Sequence, residues 1–260
     1  MTEKATHATT DMLQHRYAVV IPAYNESATI RDVALGAAKA AHHVIVVDDG
    51  SSDQTAACLD GLPVVCLRLA ANRGKAAALA HGFEAALKLG VEGVVTLDGD
   101  GQHRSEDIIR IAEAGLKPGE RIVIGARLSQ PENFPKARLR ANRFANFWIS
   151  WAAGYRIEDS QSGFRYYPAS LLRRLDMTKI VDQGFMFESE VLILAARAGV
   201  LSEAVTIPAL YAGVIQRPSH FRPVRDISRI VVMVAWKLIS RGMYPLGLYY
   251  ALRKRKPHNA

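Results

Sequence analysis

A chain of 260 residues with 49% hydrophobic content is long enough to bury a large core, and one α/β domain with a C-terminal extension accounts for it. The net charge of +8 is confined to one end: residues 201–260 carry ten Lys/Arg against two Asp/Glu, whereas residues 1–200 balance at 23 against 23. A neutral body with a basic end argues against a nucleic-acid groove and for a local meeting with anionic lipid head groups.

Residues 1–15 are polar, without the apolar run of a signal peptide, and are read as a disordered tail. Residues 17–22 then form a short apolar strand stopped by proline, followed by a loop over 23–27 and a helix over about 28–41. Residues 44–47 are a second buried strand, ending in Asp48-Asp49-Gly50-Ser51-Ser52-Asp53. Ser51, Ser52 or Asp53 suits the cap of a short helix over 56–59, but capping leaves two carboxylates at the strand tip unexplained. Cys58 and Cys66, the only cysteines, lie in apolar sequence and are expected to be buried structural thiols in a reducing, cytoplasmic setting.

A third strand over 64–69 leads to Asn72-Arg73-Gly74-Lys75, which opens an Ala-rich helix reaching about Leu89. Free N–H groups at such a helix start, beside a Gly-Lys pair, suit an anion. The spacing is neither that of a P-loop nor that of a dinucleotide fingerprint. A strand over 94–97, a helix over about 106–116 and a strand over 122–125, ending in Ala126-Arg127, complete an alternation of five strands with helices. That alternation predicts a mostly parallel central sheet with helices on both faces.

The fourth strand carries the most telling residues, because it runs into Asp98-Gly99-Asp100-Gly101-Gln102-His103. Ligands of parallel sheets bind at the carboxyl ends of strands. Asp98 and Asp100 lie two apart, so in extended backbone they point the same way. Gly99 between them admits a close ligand, and paired carboxylates suit a hard divalent cation bridging to phosphates.

Residues from about 130 to 155 read as an amphipathic helix, with Lys136, Arg138, Arg140 and Arg143 beside Phe144, Phe147, Trp148 and Trp151. A turn carrying Asp159, Ser160, Ser162 and Gly163 leads into a strand, then a helix begins near Gly184 and runs to Ala198. Glu188 and Glu190 in its first turn complement the helix dipole. A last short strand covers 205–208. Residues 16–225 are assigned to the domain and 226–260 to a basic amphipathic segment. Ile230, Val231, Val234, Trp236, Leu238 and Ile239 give that segment apolar surface, Lys237 and Arg241 interrupt it, and Gly242, Pro245 and Gly247 break its helix. With Tyr244, Tyr249, Tyr250 and Arg253-Lys254-Arg255-Lys256, it is expected to lie on a membrane instead of crossing it, peripheral on the inner face of the cell membrane.

Seven motifs, taken in order, resemble the inverting glycosyltransferases of family 2 with the nucleotide-diphospho-sugar (GT-A) fold, and among these the dolichyl- or polyprenyl-phosphate mannose and glucose synthases. They are Ile21-Pro22-Ala23-Tyr24-Asn25-Glu26, Val47-Asp48-Asp49-Gly50-Ser51-Ser52-Asp53, Asn72-Arg73-Gly74-Lys75, Asp98 to His103, Gly125-Ala126-Arg127, Ser162-Gly163-Phe164-Arg165 and Phe187-Glu188-Ser189-Glu190. The resemblance implies a GDP- or UDP-sugar donor, its base and ribose held by Pro22, Tyr24, Asn25 and Glu26 with Asp48 or Asp49. Lys75, Asp98 and Gly99 complete that donor site. It also implies Mg²⁺ or Mn²⁺ on Asp98, Asp100 and Gln102, to neutralise the charge gained by the leaving diphosphate. Arg127 and Arg138, with Asn142, Ser162 and Gly163, would hold a lipid-linked acceptor, a polyprenyl phosphate. Asp100, Arg127 and Glu188 are the residues implied to be catalytic, Glu188 as the base.

Members acting on hydroxyl acceptors carry a Q-x-x-R-W motif that this chain lacks, which favours a phosphate acceptor needing little deprotonation. The Gly-x-Ser-Lys region of the lipid-phosphate enzymes is replaced by Pro218-Ser219-His220-Phe221-Arg222-Pro223, so a hydroxyl acceptor, on a lipid or a polysaccharide, remains the alternative. A sugar-phosphate nucleotidyltransferase would show a Gly-rich basic loop after the first strand, where this chain has Ala23-Tyr24-Asn25-Glu26. A non-catalytic relative would not need acids at 48, 49, 98, 100 and 188.

Overall fold

Alternate residues of the first strand, β1 (Tyr17–Ala23), feed two separate cores. Ala18 and Val20 pack into one, while Tyr17, Val19 and Ile21 pack into the other. The period of two in a strand produces this division, and both faces are apolar because both are covered by helices. A computed structural model of the chain describes residues 11–127, 136–181, 187–208, 223–240 and 242–253. The expectations for 1–10, 184–186, 218–222, Arg241 and 254–256 lie outside these residues, as do the side chains of Arg138 and Ile230.

The other strands are β2 (His43–Asp48), β3 (Val65–Arg68), β4 (Gly93–Thr96), β5 (Arg121–Ala126), β6 (Arg165–Pro168) and β7 (Leu201–Thr206). They form one seven-stranded sheet in the order β3-β2-β1-β4-β6-β5-β7. The expected parallel alternation holds with one change: β6 is inserted between β4 and β5 and runs antiparallel to both. A turn-to-strand segment read from the sequence carries no address within the sheet. Pairing of Thr96 with Arg165 and of Ile124 with Arg165 gives β6 its place.

Helices α1 (Ile30–Ala40) and α3 (Asp107–Leu116) cover one face. The other is covered by α2 (Lys75–Lys88), α4 (Lys136–Ala153) and α7 (Phe187–Arg197), with α5 (Ala169–Arg174) and α6 (Met177–Val181) beside them. Gly82 of α2 lets that helix approach β1 closely, since a Cβ there would lie 2.3 Å from a methyl of Val20.

Three local expectations are corrected. Residues 11–14, assigned to the tail, form a helical turn whose Leu13 packs on the second core and whose Gln14 carbonyl accepts the His42 amide. Cys66 is exposed because it lies on the edge strand β3, and Cys58, in the short helical turn Ala57–Leu59, is only partly buried. The C-terminal helices α8 (Pro223–Ile239) and α9 (Pro245–Leu252) pack against the domain. Met233, Val234 and Leu238 enter the same core as Ile149, Phe187 and Leu192, and the Trp151 indole N–H donates to the carbonyls of Met243 and Tyr244, each at 3.1 Å. Lys237, expected to interrupt the outer apolar surface, points inward and leaves that surface unbroken from Val232 through Trp236 to Ile239.

Candidate active site

The carboxyl ends of β1, β2 and β4 bring their loops together at one edge of the sheet. Asn25, in the left-handed region at φ 56°, ties the first loop to the second. Its amide donates to Ser51 Oγ at 2.9 Å, and its Oδ1 accepts from the amides of Ser52 at 2.9 Å and Asp53 at 3.3 Å. The Glu26 amide donates to Thr55 Oγ1, and the Glu26 side chain stands beside the spot a Cβ would take on Gly99. Thr29 Oγ1 donates to the Gly99 carbonyl at 2.7 Å, which fixes the acidic turn after β4 against the start of α1.

The two acids at the tip of β2 have structural partners that the sequence did not reveal. Asp48, fully buried, accepts the Ser51 amide at 2.9 Å and faces Arg68 Nε at 3.3 Å. Asp49 accepts the amides of Arg73 at 2.8 Å and Gly74 at 2.7 Å, so it shapes the turn from which α2 starts. Capping of this longer-range kind accounts for Asp49, whereas Asp48 Oδ2 is buried without a hydrogen bond, opposite Arg68.

That turn delivers Lys75, the first residue of α2, into the site. Its ammonium lies 2.6 Å from Asp98 Oδ1 and 2.8 Å from Glu188 Oε1, bridging the end of β4 to the first turn of α7. Burial works against the charge of Lys75, but the two carboxylates outweigh it and raise its pKa. For Asp98, burial pushes the pKa up and Lys75 more than reverses this, leaving it at about 2. Asp100 moves the other way, raised by burial and then by the neighbouring Asp98 charge, while its Oδ1 accepts the Gln102 amide at 3.0 Å. Two acids with opposed shifts a residue apart mark a functional turn more than a solvated one.

Gly163 closes the site from β6's side. A Cβ there would sit 2.6 Å from Asp98 Oδ2 and 2.8 Å from Lys75 Nζ, so only glycine leaves room for the pair. The Gly163 carbonyl is held by Thr96 Oγ1 at 2.6 Å. Ser162, fully buried, precedes it, and its carbonyl accepts from Arg165 Nε at 2.8 Å. Arg127 is also buried, its amide at 2.9 Å and Nε at 3.3 Å from Asp159 Oδ2. Asn142 is buried on α4, the helix whose Asn146 Oδ1 receives the Ser160 amide at 2.8 Å.

Three residues of this site stood in the sequence only as parts of a turn or motif, with no role of their own. Asp159 orients Arg127. Arg165, completely buried, donates to the carbonyls of Ser160, Ser162 and Glu188, each at 2.8 Å, and so joins the glycine turn to the start of α7. A lone arginine in an otherwise aromatic strand was the available signal. His103 packs on Phe164 with ring centroids 5.1 Å apart, and its Nδ1 is buried with no hydrogen-bond partner. Burial, helped by Arg127, lowers its pKa to about 4.

Asp98, Asp100 and Gln102 offer oxygen ligands from one turn, and Asp100, its pKa raised by burial and then by the Asp98 charge, stands where a divalent cation would offset both. The donor set therefore fits Mg²⁺ or Mn²⁺. A different trio, Asp11, His15 and His42, also brings ligand atoms within 4.8 Å of one another, but all three are exposed and lie at the opposite, amino-terminal edge of β1 and β2.

Residues 18–180 match the family described as glycosyl transferase family 2. The chain belongs to that family. It is 30% identical over 187 residues to the polyprenol monophosphomannose synthase of Mycolicibacterium smegmatis, covering 66% of this chain and 69% of that one. It is 30% identical over 196 residues to the undecaprenyl-phosphate mannosyltransferase of Micrococcus luteus, covering 71% and 79%. With the UDP-N-acetylglucosamine–dolichyl-phosphate N-acetylglucosaminyltransferase of Methanococcus voltae it shares 28% identity over 214 residues, covering 74% and 85%. Among solved structures, glucosyl-3-phosphoglycerate synthase of Mycobacterium tuberculosis, crystallised with Mn²⁺, UDP and glucosyl-3-phosphoglycerate, superposes with a TM-score of 0.61 at 18% identity, covering 90% and 83%. That likeness carries the GT-A fold. The chain is thus a family 2 glycosyltransferase with the GT-A sheet that the resemblance implied.

Proposed function

We propose that this glycosyltransferase moves a sugar, with inversion, from a nucleoside-diphosphate sugar to the phosphate of a polyprenyl carrier at a membrane surface. The observation that carries the reading is the convergence of Asp98, Lys75 and Glu188 against the bare backbone of Gly163, at the strand edge where α/β sheets bind ligands. The names of the relatives, three of them polyprenyl- or dolichyl-phosphate transferases, support the acceptor class.

Asp98, Asp100 and Gln102 would hold the divalent ion, which when bound supplies a counter-charge for the diphosphate that leaves. Lys75 is a second, resident cation beside the same carboxylate. It holds Asp98 and Glu188 toward one another, which places Glu188 to meet an acceptor. Arg127, whose backbone amide and Nε meet Asp159, is assigned to the acceptor phosphate, whose geometry the planar guanidinium suits. Donor base and ribose are assigned to Tyr24, Glu26 and Pro22 at the end of β1. Asn25, Asp48 and Asp49 support that pocket by fixing its loops.

Among the described residues no helix is long and apolar enough to cross a membrane. The outer face of α8 and α9 instead exposes Val232 69%, Trp236 71%, Ile239 63%, Leu246 57% and Leu252 65%. Exposure on this scale, at the basic end of the chain, suits the interface of an anionic bilayer. The test is transfer from GDP-mannose, UDP-glucose and UDP-N-acetylglucosamine to polyprenyl phosphate, with the product anomer read by NMR. D100N is expected to lose most transfer in limiting Mg²⁺ or Mn²⁺ while keeping its melting temperature. Transfer to a hydroxyl lipid in preference to the phosphate, or a D100N variant with near-normal turnover, would refute the acceptor and metal assignments respectively.

A further inference from the structure

The first turn of α7 is gripped from two sides by two lysines. On the cleft side Lys75 holds Glu188, and on the opposite side Lys237 of α8 lies 2.6 Å from Glu190 Oε1. Lys237 and Glu190 side chains are only 14% and 8% exposed, which makes this a largely desolvated pair. Glu190 Oε2 is buried with no partner of its own, so Lys237 alone among the described residues compensates that carboxylate. Burial of a charged pair is costly and gives little net stability, so its presence calls for another explanation than packing.

The position of Lys237 supplies one. Val232, Trp236 and Ile239 face outward on α8, while Met233, Val234, Lys237 and Leu238 face inward, as helical spacing requires. A force that seats the outer face of α8 therefore acts directly on Glu190, two residues from Glu188. The Glu188 carbonyl is in turn bonded to Arg165, which holds the glycine turn behind Asp98.

We propose that the Lys237–Glu190 pair couples seating of the α8–α9 face on a lipid surface to the placement of Glu188 in the cleft. Lys237 is thus a positioning residue that makes turnover respond to the membrane. The inference rests on the docking reading given above for α8 and α9. Seating fixes α8, α8 fixes Glu190 through one ion pair, and the helix start carrying Glu188 is held in register with Lys75.

The experiment uses the full chain, phosphatidylglycerol vesicles carrying polyprenyl phosphate, and a short water-soluble prenyl phosphate as the second acceptor. Wild-type protein is expected to sediment with the vesicles. K237M is expected to sediment within two-fold of wild type, with unchanged donor KM, yet to lose the advantage of the vesicle acceptor over the soluble one by tenfold or more in kcat. Because K237M strands a buried carboxylate, K237M/E190Q serves as the control: its melting temperature should recover while the vesicle advantage stays lost. The coupling is overturned if K237M keeps the full vesicle advantage, if it slows equally on both acceptors, or if the double variant regains that advantage together with its stability. Wild-type protein that stays in the supernatant overturns the docking reading itself, and that result is seen before any variant is compared.

Discussion

Replacing Gly163 with alanine separates a functional site from a structural one by adding a single methyl. The new Cβ would stand 2.6 Å from Asp98 Oδ2, 2.9 Å from Asp98 Oδ1 and 2.8 Å from Lys75 Nζ, against an ordinary contact of 3.4 Å or more. The carboxylate and ammonium must therefore retreat by roughly 0.8 Å, the distance at which a repulsive contact becomes a neutral one. Both are the tips of flexible side chains, and Gly163 does not occupy the left-handed region, so stability should fall by no more than about 1 kcal/mol. Catalysis is less forgiving, because a misplacement near 1 Å costs on the order of 100-fold. Turnover should drop between about tenfold and 100-fold, equivalent to roughly 1.4–2.7 kcal/mol of barrier. Mn²⁺ affinity by calorimetry should weaken in parallel, since Asp98 is displaced. Guanidinium denaturation supplies the stability, and steady-state transfer supplies kcat. A variant with wild-type turnover and metal affinity would show that the Lys75–Asp98 pair lies away from the reacting centre. A loss of several kcal/mol of stability would show that the pair is a packing device.

R127A should raise acceptor KM or lower kcat while donor affinity by calorimetry stays within about two-fold, since donor contacts are assigned to β1 and β4; an equal loss in both moves Arg127 into the donor site. His103 gives a pH signature with a definite sign. Its folded pKa of about 4 lies below the ordinary 6.5, so the folded chain resists protonation there. Stability is unaffected by this group above pH 6.5 and is lost as the pH falls toward 4, by roughly 3 kcal/mol over the window. In H103Q the denaturation free energy should lose that slope between pH 6.5 and 4, and a slope equal to wild type's would assign acid sensitivity to the carboxylates alone.

Much of this molecule was legible from one chain. Runs such as Val44-Ile45-Val46-Val47 name buried strands because only a strand covered on both faces needs apolar residues at every position. Asp98, Asp100 and Lys75 were singled out because acids and a Gly-Lys helix start at strand ends are features that packing alone does not need, and Glu188 and Gly163 through the family resemblance. Pairwise partners were not legible. That Lys75 bridges Asp98 to Glu188, that Asp49 is spent on the amides of Arg73 and Gly74, and that Lys237 turns inward to Glu190 each join residues more than twenty positions apart. Local propensity carries no information about such contacts. The same limit explains β6, whose sequence reads as a strand but whose antiparallel place between β4 and β5 depends on which edge was free. Cys66 shows it from the other side: an apolar stretch was expected to be buried, and only the strand order, by putting β3 at the rim, left it exposed. Residue chemistry along the chain determined what the site is made of, while tertiary structure decided which charges face one another, because the energy of an ion pair depends on distance and burial and not on sequence order.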